Sequence, residues 1–134
     1  MCNTGNGNLE YLDLAQTNLS SENAIQFLKI PNLKYLRLFD NNLGEGSFFS
    51  NPELINILAE NVCLETLDLC GNKATDLSLF LNRLLRLYKT EPRHVISVLE
   101  LGGNPITEAD ELIINELKSL GVDIARDRPK TVQS

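Results

Sequence analysis

The chain has no tryptophan, one methionine, one histidine and three cysteines among 134 residues. Aromatic residues make up only 6%. No run approaches the roughly 18–20 consecutive apolar residues that a membrane helix needs, so no membrane insertion is expected. Basic residues are outnumbered, 12 against 18 acidic, for a formal charge of −6. A surface of that sign grips phosphate poorly, so neither nucleic acid nor anionic lipid is an expected partner. The single histidine, His94, lies in a polar stretch with no Asp, Cys or Ser at a recognisable motif spacing. A role as general base or metal ligand is therefore not expected. Cys2, Cys63 and Cys70 are odd in number and contain no C-x-x-C pair, which fits neither a disulfide framework nor a zinc site. If residues 63–70 are extended, the ends lie about 20 Å apart, too far to bridge. Three free thiols in a cytoplasmic or other reducing compartment are expected, with no metal and no cofactor. Gly102-Gly103-Asn104 is not followed by the Lys of a phosphate-binding loop. The first eight residues have neither a basic n-region nor an apolar h-region and read as a flexible leader, not a secretory signal.

Leucine and asparagine are abundant instead, at 25 and 15 residues. They fall into four copies of one pattern. The first is Leu9-x-x-Leu12-x-Leu14-x-x-Thr17-x-Leu19, and the second is Leu33-x-x-Leu36-x-Leu38-x-x-Asn41-x-Leu43. The third is Leu64-x-x-Leu67-x-Leu69-x-x-Asn72-x-Ala74, and the fourth is Ile96-x-x-Leu99-x-Leu101-x-x-Asn104-x-Ile106. Their starts are 24, 31 and 32 residues apart, so the core keeps its length while the spacer varies.

This pattern resembles the leucine-rich-repeat family, and the longer spacers resemble its ribonuclease-inhibitor-like intracellular subclass. The first repeat is short for that subclass. Thr17 stands where Asn is usual, and Ala74 where Leu is usual. The resemblance implies an α/β solenoid, a right-handed β-α superhelix with a parallel sheet on the concave face and helices on the convex face. It places one domain at residues 9–126, with repeats starting near 9, 33, 64 and 96 and a terminal strand near 122–124. Residues 127–134 form a polar tail.

The residue periods lead to the same elements independently. Leu12/Leu14 and their equivalents alternate with period two, as in a strand with one buried face. Leu77, Phe80, Leu81, Leu84, Leu85 and Tyr88 form an apolar stripe of helical period, with Thr75 placed as N-cap. Thr107 and Asp110 are spaced as a capping box, and Gly121 can close that helix. Asn51-Pro52 reads as N-cap and first helical residue, turning Leu54, Ile55 and Leu58 inward. Ser20-Ser21-Glu22 opens a shorter helix burying Ala24, Ile25 and Leu28. Phe48-Phe49 is expected to anchor the insertion 44–51, and Leu79 to be exposed.

Asn41, Asn72 and Asn104, with Thr17 in the first copy, are expected to bind backbone groups at the strand exits. The outward positions form columns. One holds Tyr11, Tyr35, Thr66 and Val98, and the next holds Asp13, Arg37, Asp68 and Glu100. The third holds Ala15, Phe39, Cys70 and Gly102. Tyr11, Asp13, Tyr35, Arg37, Phe39, Asp68 and Cys70 are therefore the candidate partner-binding set, since exposed Tyr, Phe and Arg are enriched at interface hot spots. The alternative is that the aromatics only cover neighbouring strands while Arg37 bridges Asp13 and Asp68, a surface contact worth about 0–1 kcal/mol.

The resemblance implies protein binding, and no motif points to catalysis. The expected function is a non-catalytic protein-protein interaction module, binding a partner protein through the concave face. The alternative is a section or recruiting arm of a longer repeat protein. The composition also resembles repeat proteins that intracellular bacteria deliver into host cells as effectors. A monomer is expected, with the N-terminal edge as the place where further association could occur.

Overall fold

The computed structural model describes residues 9–74, 77–91 and 96–126. The leader, the tail, Cys2, Thr75 and His94 lie outside the described residues. Strands and helices alternate along the chain. They are β1 (Tyr11–Asp13), α1 (Ser21–Phe27), β2 (Tyr35–Arg37), α2 (Glu53–Glu60), β3 (Thr66–Asp68), α3 (Leu77–Thr90), β4 (Val98–Glu100), α4 (Glu108–Ser119) and β5 (Asp123–Ala125). A short 3-10 turn, Leu43–Glu45, precedes α2.

The strands form one parallel sheet in sequence order, β1-β2-β3-β4-β5. The register aligns Leu12, Leu36, Leu67, Leu99 and Ile124 in one inward row. Each strand has three residues, so one central side chain per strand points into the core. Leu36, Leu67 and Leu99 are fully buried there and join Leu28, Leu54, Leu58, Leu81, Leu84 and Leu117 from the helical segments. The core therefore lies between the sheet and the helices. Leu12 and Leu14, on the outermost strand, are only partly buried because β1 has no neighbour on its far side.

The helices begin and end where the residues dictate. The Ser20 side chain accepts from the Asn23 amide and caps α1. Thr107 and Asp110 make the reciprocal capping box of α4. At its other end the Gly121 and Val122 amides donate to the Lys118 and Leu117 carbonyls. Gly121 takes φ +101°, a left-handed conformation that glycine enters without a steric penalty. Helix α2 starts one residue later than expected, with Pro52 and not Asn51 at the N-cap position, while the Asn51 side chain accepts from the Glu53 amide at 2.9 Å just ahead of it. Ile57 is buried on that helix and Ile55 only half-buried, so the inward face is rotated from the expected set. The stripe of α3 is as expected, and Leu87 is buried as well. Tyr88 donates its hydroxyl to the Ile96 carbonyl at 2.5 Å, tying the end of α3 to the approach of β4. Phe48 and Phe49 are both buried, and the Phe49 ring meets Phe80 edge-on at 5.7 Å.

A polar ladder runs behind the strand exits. The Asn41 Oδ1 accepts from the Thr17 and Leu19 amides, at 3.1 and 2.9 Å. The Asn72 Oδ1 accepts from Asn41 and Leu43, and the Asn104 Oδ1 from Asn72 and Ala74. Each Nδ2 donates to a carbonyl of its own turn and to one of the turn before. One amide side chain thus satisfies groups in two successive turns, which a buried backbone requires. Thr17 plays a shorter part, its hydroxyl donating to the Leu14 carbonyl of its own turn at 2.7 Å.

The turns share a backbone signature. Gln16, Asp40, Gly71 and Gly103, each just before a ladder residue, have positive φ, as do Asn18, Asn42 and Lys73 just after. Successive turns approach so closely that a Cβ on Gly44 would overlap the Lys73 carbonyl oxygen.

Candidate functional site: the open face of the sheet

Because side chains alternate along a strand, fixing the leucines inward fixes their neighbours outward. The register places Tyr11, Tyr35, Thr66, Val98 and Asp123 in one outward column. Asp13, Arg37, Asp68, Glu100 and Ala125 form the next. Among the described residues this face is most open at its β1 end, where Tyr11 keeps 54% of its surface exposed.

Tyr11 and Tyr35 stack, with ring centroids 4.5 Å apart and planes 21° from parallel. Burial, then the nearby Glu100 and Asp68 carboxylates, push the Tyr35 phenol up to about 12. It therefore remains a neutral hydrogen-bonding group across the physiological range. Arg37 stands between two carboxylates. Its Nη1 lies 3.2 Å from Asp13 and its Nε 3.2 Å from Asp68. Burial works against the guanidinium charge, but hydrogen bonds to Asp13 and Asp68 outweigh it and raise the Arg37 pKa. The bridge expected from the column spacing is therefore present. Its Asp68 half is not a surface contact, because Asp68 is only 1% exposed.

Three members of the candidate set are placed differently from expectation. Phe39 is buried, with the Arg37 guanidinium 5.0 Å above its ring centroid. Cys70 is fully buried. Asp68 is buried beneath the same arginine and accepts the Cys70 amide at 3.0 Å. Phe39 and Cys70 do not join the core behind the sheet; they stay on the face side and are covered there by second-column side chains, Phe39 by Arg37 and the Cys70 thiol by Asp68 and Glu100. The pairing of the chain runs on past the strand ends, the Leu38 and Asp40 amides donating to the Asp68 and Cys70 carbonyls. Burial, then Asp68, push the Cys70 thiol up, so it stays protonated and unreactive. Tyr11, Asp13, Tyr35 and Arg37 remain accessible, the last two in part.

The cysteines need a second correction. Cys70 is free but Cys63 is disulfide-bonded. Three free thiols was therefore the wrong expectation, and the inference to a reducing compartment loses its basis. Among the described residues no helix is long and apolar enough to cross a membrane.

The ligand atoms of Asp68, Cys70 and Glu100 all lie within 4.8 Å of one another. Asp68 is already engaged by Arg37 and by the Cys70 amide, and the thiol is held protonated. That donor set suits a cation poorly at its inner end and better at Glu100. Burial, then Asp68, raise the Glu100 carboxyl above the usual range, with Asp123 adding to the effect and Arg37 opposing it. Asp123 is the face residue that alignment of four repeats leaves out. The signal was present, since Val122 and Ile124 inward require Asp123 outward, but β5 carries too few pattern residues to count as a fifth copy.

Comparison with models of known families, with curated proteins and with solved structures finds no match for this chain.

Proposed function

We propose that this chain is a leucine-rich-repeat module, its strand–helix units stacked as a solenoid. We propose further that it binds a partner protein on the open sheet face without catalysing a reaction on it. The observation that carries the reading is the stacked Tyr11–Tyr35 pair, exposed at Tyr11 and half-buried at Tyr35, beside the doubly held Arg37. Residues fixed in this way lose little conformational freedom on binding, so more of the contact energy appears as affinity. The asparagine ladder supports the repeat assignment, because each rung repeats the same bonds with the same partners one turn earlier. The non-catalytic reading rests on the chemistry of the face, where the thiol is buried and protonated and the tyrosine is neutral.

The test is capture of partners from lysate by immobilised wild-type protein, by Tyr11→Ala/Tyr35→Ala and by Leu79→Ser/Arg86→Ala. The sheet-face pair should lose the captured partner and the helix-layer pair should keep it. The reverse pattern would move the site to the helices.

A second reading, a section of a longer repeat protein, is favoured by the N-terminal edge. Leu9 is 45% exposed there, and Leu12, Leu14 and Leu19 are only partly buried. It requires association through that edge, read as a mass that rises with concentration in size exclusion with light scattering. A constant monomer mass would count against it.

A further inference from the structure

The two outward columns carry four carboxylates, on Asp13, Asp68, Glu100 and Asp123, against the single base Arg37. Arg37 is occupied at both ends by Asp13 and Asp68. Among the described residues no ion pair reaches Glu100 or Asp123. Glu100 nevertheless sits with a carboxylate oxygen within 4.8 Å of one from Asp68. Like charges held this close in a part-buried setting repel, and only a cation or a proton relieves them. Two strands away, Tyr11 and Tyr35 offer stacked rings, a surface that accepts a cation or the flat stem of an arginine. Adjacent strands lie about 4.8 Å apart, so the distance from β2 to β4 is about 10 Å, roughly three residues of extended chain.

We propose that the open face docks a basic, extended segment of a partner protein. An Arg or Lys side chain sits between Glu100 and Asp123, and the segment continues across the sheet to the Tyr11–Tyr35 pair. This rests on the sheet-face reading above and gives the partner its chemistry. A metal ion is the competing occupant. It would have to displace Arg37 from Asp68 and deprotonate a fully buried thiol, whereas a cationic side chain meets Glu100 and Asp123 from solvent.

The probe is fluorescein-labelled hexa-arginine, compared with a labelled Gly-Ser hexamer by fluorescence anisotropy. Ionic strength is set at about 0.01 M and at about 0.15 M, across which screening of exposed charges rises steeply. Hexa-arginine should bind the full chain, and Glu100→Gln/Asp123→Asn should weaken it by about tenfold. Glu60→Gln/Glu91→Gln removes the same formal charge from exposed positions at the end of α2 and just beyond α3 and should change binding by less than about threefold. Melts of each variant by circular dichroism separate lost binding from lost fold. Equal weakening by the two pairs would overturn the proposal, since attraction would then follow net charge alone. Hexa-arginine binding no better than the neutral hexamer would also overturn it. Zn²⁺ binding that is lost in Cys70→Ser would assign the cluster to a metal instead. A lysate partner that needs Tyr11 and Tyr35 but not Glu100 and Asp123 would overturn the basic segment and leave the sheet-face reading standing. A hexa-arginine site that depends on Glu100 and Asp123, with no partner dependent on Tyr11 and Tyr35, would overturn that reading and leave only a cation site.

Discussion

Truncating Asn72 to alanine removes five hydrogen bonds, but only two of them leave a group stranded. The Leu38, Leu69 and Cys70 carbonyls, which accept from Asn72 Nδ2, keep other donors in Asn41, Asn104 and the Asp40 amide. The Asn41 and Leu43 amides lose Oδ1, their acceptor at 2.8 and 3.2 Å, and both residues are buried. At about 1–3 kcal/mol for each stranded donor, Asn72→Ala costs about 2–6 kcal/mol. That is a large part of a typical total of roughly 5–15. Asn41→Ala strands the Thr17 and Leu19 amides instead, at the open edge where Thr17 is exposed and water can replace the lost acceptor, so it costs less. Urea unfolding followed by circular dichroism measures both. Asn72→Asp adds a check of sign. It keeps the acceptor but faces a carboxylate toward three carbonyls, which raises its folded pKa, so the variant regains stability as pH falls. A loss for Asn72→Ala below about 1 kcal/mol, or equal losses at positions 41 and 72, would refute the ladder as the element that locks the turns together.

Leu67→Asp places an uncompensated carboxylate in the fully buried inward row, so its folding transition should disappear from a thermal melt. Cys70 should resist thiol reagents in the native protein and react fully in denaturant, as read by labelling and mass spectrometry. Glu100→Gln should stabilise the protein at pH 7 by up to about 1 kcal/mol, the scale of a solvent-screened charge contact. The sign follows from the raised Glu100 pKa: between the ordinary carboxylate value and the folded one, the native state holds a proton that the unfolded state has released. Wild-type stability from this group therefore falls as pH rises through that window, and the variant, measured by urea unfolding at several pH values, lacks the slope.

The frame was legible because its determinants are local and repeated. Leu12, Leu36, Leu67 and Leu99 have the period of strands, and the register aligns them without a slip. The caps at Ser20 and Thr107 and the closing Gly121 are fixed by residues within three positions. The face was legible only as columns. Period two identifies Phe39 and Cys70 as outward, but it does not reveal that Arg37, Asp68 and Glu100 lie over them and bury them on that side. The left-handed residues at Gln16 and Asp40 carried no signal of their own, since neither is the glycine found at the equivalent Gly71 and Gly103. The Cys63 disulfide carried no signal in the sequence, because the extended spacing to Cys70 excludes that one bridge and says nothing of any other pairing.

The ladder and the face follow opposite rules. Every buried side-chain nitrogen and oxygen among the described residues finds a partner, and removing a rung of the ladder costs stability. On the face, Glu100 is held near a second carboxylate with no ion pair of its own among the described residues, so removing its charge should increase stability. A sequence selected only for folding has no reason to keep such a residue, and glutamine would fit the same position. Local conflict of this kind marks positions held by something other than the fold. The conflict is also directional. Arg37 neutralises the end of the face beside the tyrosines, while the unneutralised charge lies at β4 and β5. A partner that brings a cation to that end removes the repulsion when it binds. The stability gain expected of Glu100→Gln in the free protein and the selectivity for a basic segment would then share one physical origin.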